Sequence, residues 1–437
     1  MSSTDSAPVV APFRGHTCSD LYKAIFEADA PEQVVRQLPV QSLFMIIKQR
    51  GIESSTDLLL MASLEQCKLI SDFDLWHADA LNEEVLWGWL ALTDDTDSLE
   101  LLQKLVKFID LKLLAVLIGK YAEVQVFDEP SEQPPGPGFH TPDNGSTWVG
   151  IKTENPDHHF LLARLLALIF ESNAELFYQL IAIPSVATIS MLEEEAYIER
   201  TKRLAAEGIP EPEVAASIHA PYSVLEARSV LKAGKRSQVI EDIRSIEPMI
   251  YEARATRLFA ELLRRVEDHE SIEMEFTYIM NAAVVRWGID FAEQERVLEL
   301  AEQVKGAINL GLERLIADGS TTVLEAYNAL GLGPLFRLGM TELMALRSRA
   351  RKIPLELADK VKDADPVLFS TLACAREAFP AMPMFLNEDG SIVDNSGVDS
   401  SSSSGGVDIS GSLQPGTRPI ESLQAIKSVS SLLDKLA

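Results

Sequence analysis

Between about Leu21 and Lys362 apolar residues recur every three or four positions, the spacing of helices that bury one face. Leu101, Leu102, Leu105, Val106 and Ile109 form one such stripe, which places Gln103, Lys104 and Lys107 toward water. A second run follows with Asp110 as N-cap and Leu111, Leu114, Ala115 and Ile118 facing inward. Ser63 with Gln66, Asp97 with Glu100 and Thr322 with Glu325 have capping-box spacing, in which each side chain satisfies an amide that the first helical turn leaves free. Asp290 with Glu293 opens the longest run, where Val297, Leu300, Val304, Ile308, Leu312 and Leu315 keep the helical period. Gly208, backed by Pro210 and Pro212, stops one helix; Gly331 stops another and leaves Pro334 to occupy N1 of the next. The pattern predicts an all-α fold of stacked helix pairs, because helices of about 10 to 14 residues are marginal unless they pack on neighbours.

One segment breaks the period. Pro130, Pro134, Pro135, Pro137, Pro142 and Pro156 cannot share a helix. Within it, Phe139 to Gly145 followed by Trp148 to Thr153 reads as a β-hairpin, since Asn144-Gly145 supplies the positive φ angles of a tight turn. The expected organisation is therefore a disordered stretch 1–19, a helical unit 20–126, a Pro/Gly-rich linker with the hairpin 127–157 and a larger helical unit 158–380. A disordered Ser/Gly-rich linker 381–419 and a short amphipathic helix 420–437 complete it. In that last helix Leu423, Ile426, Val429, Leu432 and Leu433 are expected on one side, either docked on the chain's own body or in a partner's groove, or in a frayed tail that touches nothing. No internal repeat of solenoid length is visible.

Composition narrows the function classes. The chain has 437 residues, 46% of them hydrophobic, and 39 Lys plus Arg against 66 Asp plus Glu give a net charge of −27. Such a charge repels nucleic-acid phosphates and anionic lipid, so neither is an expected partner; a protein is. Cys18, Cys67 and Cys374 lack the spacing of a disulfide framework or a zinc site, which fits a reducing, cytoplasmic setting.

Several segments resemble an uncharacterised family of large bacterial helical proteins, a domain-of-unknown-function family. They are Asp74-Leu-Trp76, Phe139 to Gly145, Glu193 to Tyr197 with Arg200, Arg203, Leu204 and Gly208, Asn309-Leu-Gly-Leu-Glu313, and Leu335-Phe-Arg-Leu-Gly339. The resemblance implies a cytoplasmic bacterial protein of helical architecture and carries no reaction with it. The early helices, with Leu38-Pro39, are also similar in a generic way to the helical N-terminal domain of magnesium transporters.

Candidate chemistry is sparse. Glu193, Tyr197 and Arg200 share a helical stripe beside Glu194, and with Asn309 and Glu313 they could line a small-ligand pocket between the two helical units. The plain alternative is a solvated acidic helix start, stabilised by the helix dipole. Arg347, Arg349, Arg351 and Lys352 concentrate positive charge in an acidic chain; they either offset a helix C-terminus or receive an anionic partner, the chain's own acidic tail included. His158 and His159, with His140 or Asp157, point about 100° apart on a helix and make a poor metal pair. Asp74 and His77, around Trp76, read as a packed helix junction. Lys232 to Ser237 fails the phosphate-loop pattern, because Ser229 stands where the first glycine belongs and Arg236 interrupts the Lys-Ser pair. No catalytic residue, metal site or cofactor is assigned. The expectation is a non-catalytic interaction scaffold or regulatory adaptor, with an enzyme or ligand sensor as the alternative.

Overall fold

The computed structural model describes residues 18–92, 99–233, 257–393 and 416–436. Asp97, the phosphate-loop look-alike beyond Ala233, the serine run 400–404 and the first seventeen residues lie outside that set. The helical periods are realised almost throughout, and the fold is all-α with three small sheets. Contacts divide the chain into two units, Met1–Glu207 and Gly208–Ala437. The division falls at the Gly208 helix stop, so the Pro-rich segment belongs inside the first unit and does not separate two helical bodies.

The first unit opens with α1 (Cys18–Glu27), α2 (Pro31–Gln37), α3 (Val40–Arg50), α4 (Thr56–Met61) and α5 (Leu64–Asp74). Ser63 and Gln66 form the capping box at the start of α5 as their spacing requires. A two-residue ladder, β1 (Trp76–His77) with β2 (Ala80–Leu81), leads into α6 (Glu83–Ala91), α7 (Leu99–Phe108) and α8 (Leu111–Tyr121). One expectation fails here: Lys104 does not face water. Its ammonium donates to the carbonyls of Leu59, Leu60 and Ala62 at 2.5 to 2.7 Å, closing the C-terminus of α4. The last four carbonyls of a helix have no partner within it, and a cation there also offsets the negative end of the helix dipole.

The chain then makes β3 (Ala122–Val126), β4 (Phe139–His140) and β5 (Thr147–Ile151), with β5 in the centre of an antiparallel sheet. The hairpin reading holds: Asn144 and Gly145 have φ of 56° and 100°. The third strand, β3, was not expected, since its five residues sit at the end of a helical run. The Phe139 ring lies across Gly150, where a Cβ would meet it at 2.8 Å. Helices α9 (Pro156–Ser172), α10 (Ala174–Val186) and α11 (Ile189–Ala206) complete the unit, with α8 packed against both α10 and α11. Among the described residues no single helix is long and apolar enough to cross a membrane; α10 and α11 pass that test only as a pair bent by 116°.

The second unit comprises α12 (Pro212–Ile218), α13 (Val224–Ala233), α14 (Arg257–Arg265), α15 (His269–Trp287), α16 (Gln294–Ile316), α17 (Val323–Leu330), α18 (Leu332–Lys352), α19 (Leu355–Ala364) and α20 (Pro366–Arg376). Thr322 and Glu325 form the expected capping box on α17. Asp290 instead accepts from Ala292, one turn before α16, and Pro334 falls at the third position of α18, not the first. The centre of the unit is the crossing of α16 and α18, which is dictated by two glycines. A Cβ on Gly311 would stand 1.9 Å from the Leu335 carbonyl oxygen, and one on Gly339 would stand 1.8 Å from that of Ala307. Backbone meets backbone at this point.

The C-terminal region departs most from expectation. Ala381–Pro383 is a buried strand, β6, paired antiparallel with β7 (Thr417–Pro419), so residues 381–393 and 416–419 are not part of a disordered linker. The reason is apolar: Phe379, Ala381, Met382 and Leu386 are all buried. Residues 394–415 lie outside the described set. Helix α21 (Leu423–Leu433) then packs on α16, α18 and α20 of its own unit.

Gly311→Ala and Gly339→Ala are each expected to destabilise the protein by about 3 kcal/mol, the upper range for overpacking. Gly88→Ala, inside α6 with nothing within 4 Å of the added carbon, should stabilise it by up to about 1 kcal/mol through helix propensity. Thermal unfolding followed by circular dichroism reads this directly, and equal midpoints for the three variants would contradict the crossing.

Candidate functional site

The acidic helix α11 begins at Thr188, whose hydroxyl accepts from the Met191 amide, and buries Leu192, Ala196 and Leu204. Its charged residues fall beside that stripe and are met by α8. Lys120 joins Glu193 at 2.9 Å and also Glu83, while Lys112 joins Glu199 at 2.5 Å and Glu195 at 3.5 Å. These pairs are partly exposed, and each contributes about 0 to 1 kcal/mol at most.

A stronger anchor lies one turn further on. Asp72, buried on α5, accepts a two-point bond from Arg203 at 2.7 and 2.8 Å, and its own carbonyl accepts from Arg200 at 2.7 Å. Burial pushes the Asp72 carboxyl above its ordinary value, opposed by the Arg203 guanidinium. Arg200 also lies 5.7 Å over the Trp76 ring, which Tyr197 meets at the same centroid distance. Glu193, Tyr197 and Arg200 are thus brought together as a seam fastening α11 to α5 and α8, while Glu194 points to solvent. Among the described residues no three His, Cys, Asp or Glu side chains stand close enough to hold a metal ion. His158 stacks on Trp87 at 4.1 Å, and Asp74 accepts from Lys48 and from the Trp89 indole, whereas His77, expected to share a packed junction with it, is exposed.

Asn309 and Glu313 belong to the second unit and have a different task. With Gly306 they form one face of α16, spaced three and four residues apart. Asn309 Oδ1 accepts from the Leu258 and Phe259 amides, capping α14, and its Nδ2 donates to the Glu421 carbonyl at 2.7 Å. Glu313 accepts from the Leu423 amide at 2.9 Å, so a carboxylate sits on the positive end of α21. Gly306 leaves room for the chain at Pro419–Glu421, whose nearest atoms would be 3.2 to 3.4 Å from an added Cβ.

The basic cluster divides. Arg349 pairs with Asp434 at the far end of α21. Arg347 donates to the Arg376 carbonyl at 3.3 Å and Arg376 returns a bond to Ala350 at 3.1 Å, so each closes the end of the other's helix. Arg351 and Lys352 are exposed. Helix α21 itself buries Ala425, Val429 and Leu433, with Leu423, Ile426 and Leu432 half-buried at the flanks, a stripe rotated slightly from the expected one. Gly306, Asn309, Glu313 and Arg349 together are a seat for the C-terminal strap, residues 416–436.

The DUF6178 family model, described as a family of unknown function, matches residues 13–366. The chain belongs to this family. No curated protein and no solved structure matches it. The DUF6178 match contains α11, the glycine crossing and all four seat residues, whereas the strap lies beyond it.

One residue of the DUF6178 region escaped sequence reasoning. His219 follows α12, its Nδ1 bonded to the Ala215 carbonyl at 2.7 Å and its ring edge-on to Trp287 and Phe336 at centroid distances of 4.6 and 5.0 Å. Its Nε2 is buried and makes no hydrogen bond to the described residues. Burial lowers its pKa from 6.5 to about 4, helped by Arg286. A lone histidine before Ala-Pro carries no local signal of this; the aromatic box comes from α15 and α18.

Because the folded value is the lower one, the neutral imidazole contributes stability that is fully present above pH 6.5 and is lost as pH falls toward 4. The loss amounts to about 3 kcal/mol. His219→Phe should flatten the wild-type decline between those values, measured by urea unfolding at a series of pH values. Parallel wild-type and variant curves would refute the assignment.

Proposed function

We propose that this protein is a non-catalytic interaction scaffold or regulatory adaptor of the bacterial cytoplasm, with another protein as its partner. The observation that carries the reading is the seat on α16 and α18, where Asn309 and Glu313 hold main-chain groups of an amphipathic helix and Arg349 meets its acidic end. Helix-in-groove recognition has this form: an apolar stripe supplies affinity and polar groups at the helix ends fix its register. The residues that would otherwise suggest a pocket, Glu193, Tyr197, Arg200, Asn309 and Glu313, each hold a neighbouring element within their own unit. A net charge of −27 weighs against nucleic acid and anionic membrane. The buried cysteines agree with a reducing compartment.

In-cell cross-linking followed by affinity purification of the full chain tests this. A stoichiometric protein partner is expected, cross-linked to α16 or α18 and reduced at least several-fold by Arg349→Glu. Recovery of the protein alone, from both wild type and variant, would overturn the scaffold reading.

A further inference from the structure

The strap sits on its seat through few large side chains. Ile420, Val429 and Leu433 are fully buried, and that burial is set against the backbone entropy of ordering α21. Polar capture at the two ends adds to it, by Asn309 and Glu313 at the start and Arg349 at Asp434.

Its attachment is far longer than closure needs. Val393 donates to the Phe385 carbonyl at 2.7 Å, and Met384 donates to the Gly416 carbonyl at 2.8 Å, so the two ends of the connection are held by adjacent residues. Between them the sequence has 22 residues, 394–415. Neighbouring antiparallel strands are ordinarily joined by about 2 to 5. The strap also lies beyond the family match, whereas Gly306, Asn309, Glu313 and Arg349 lie within it.

We propose that the seat under the strap is the receptor for a partner's amphipathic helix, and that residues 416–436 are its built-in competitor. The seat's own groups define what it takes. Glu313 requires a free amide in the first helical turn, as follows an N-cap such as Ser422; Asn309 requires a carbonyl just before it. Ala425, Val429 and Leu433 mark small and apolar positions at four-residue intervals, and Arg349 selects an acidic group where Asp434 stands, twelve residues past the cap. The inference rests on the scaffold reading but fails separately from it. A seat that binds no helix leaves partner capture by another surface open, and a chain that co-purifies with nothing can still bind a helix in vitro.

The test uses the full chain and a fluorescein-labelled synthetic peptide of its own residues 416–437, followed by anisotropy. Val429→Asp in the chain weakens the resident strap and leaves the seat whole, so the peptide should bind that variant roughly tenfold more tightly than it binds wild type. Adding Glu313→Arg to Val429→Asp should abolish the gain, and adding Arg349→Glu should reduce it and its salt dependence. Asp434→Arg is a gentler second strap variant, and amide-exchange protection of α15 and α18 reports that each protein is folded. Equal affinity for wild type and both folded strap variants, or no binding to any, would overturn the proposal. So would a concentration-dependent dimer of wild type without peptide, which would make a second copy's strap the occupant.

Discussion

The second unit depends on a single contact between two main chains. At Gly311 and Gly339 the helices α16 and α18 approach until carbonyl oxygens fill the space that any Cβ would take. Glycine in a helix interior costs about 0.5 to 1 kcal/mol relative to alanine, so two glycines in the longest helices are a local loss accepted for a close approach. The approach sets the geometry of everything attached to either helix. Asn309 and Glu313 flank Gly311 on α16, while Phe336, Arg337 and Arg349 extend from the same segment of α18. A wider crossing would separate the groups that hold α14, α21 and the chain around His219.

A second regularity runs through both units: helix ends are satisfied by side chains from other helices. Lys104 closes α4, Glu275 accepts from the Leu332 amide at 2.6 Å to open α18, and Asn309 opens α14. Arg337 donates to the Ala220 carbonyl at 2.8 Å, and Arg347 and Arg376 exchange carbonyls. Each short helix leaves up to four donors and four acceptors unpaired, and an unpaired buried group costs about 1 to 3 kcal/mol. A fold of many short helices therefore needs many such groups. This accounts for polar residues in the interior, and it explains why residues that look like a site in sequence are found holding neighbouring helices.

That same property decides what could be read from the chain. Ser63 with Gln66, Thr322 with Glu325 and Asn144-Gly145 were legible because each acts within four residues, where spacing alone determines geometry. The helical class was legible because the apolar period is local too. Lys104, Asn309 and Glu313 were not, since their partners lie between 42 and 112 residues away. Strand β3 and the β6–β7 ladder were hidden for a related reason: a strand's stability resides in its partner, and Ala381–Pro383 finds its own 36 residues on. The Asn-Leu-Gly-Leu-Glu and Leu-Phe-Arg-Leu-Gly segments could be picked out as distinctive, but only their meeting in space explains why glycine stands in both.

The seat follows from these two constraints acting together. Close approach at the glycines holds α16 and α18 in fixed relation, and helix-end capture supplies polar groups that ask only for main-chain amides and carbonyls. Groups of that kind recognise the start of a helix whatever its side chains, and the apolar stripe and Arg349 then discriminate among helices. A surface assembled this way holds the chain's own C-terminal helix by main-chain groups at its start, an apolar stripe along its length and one ion pair at its end.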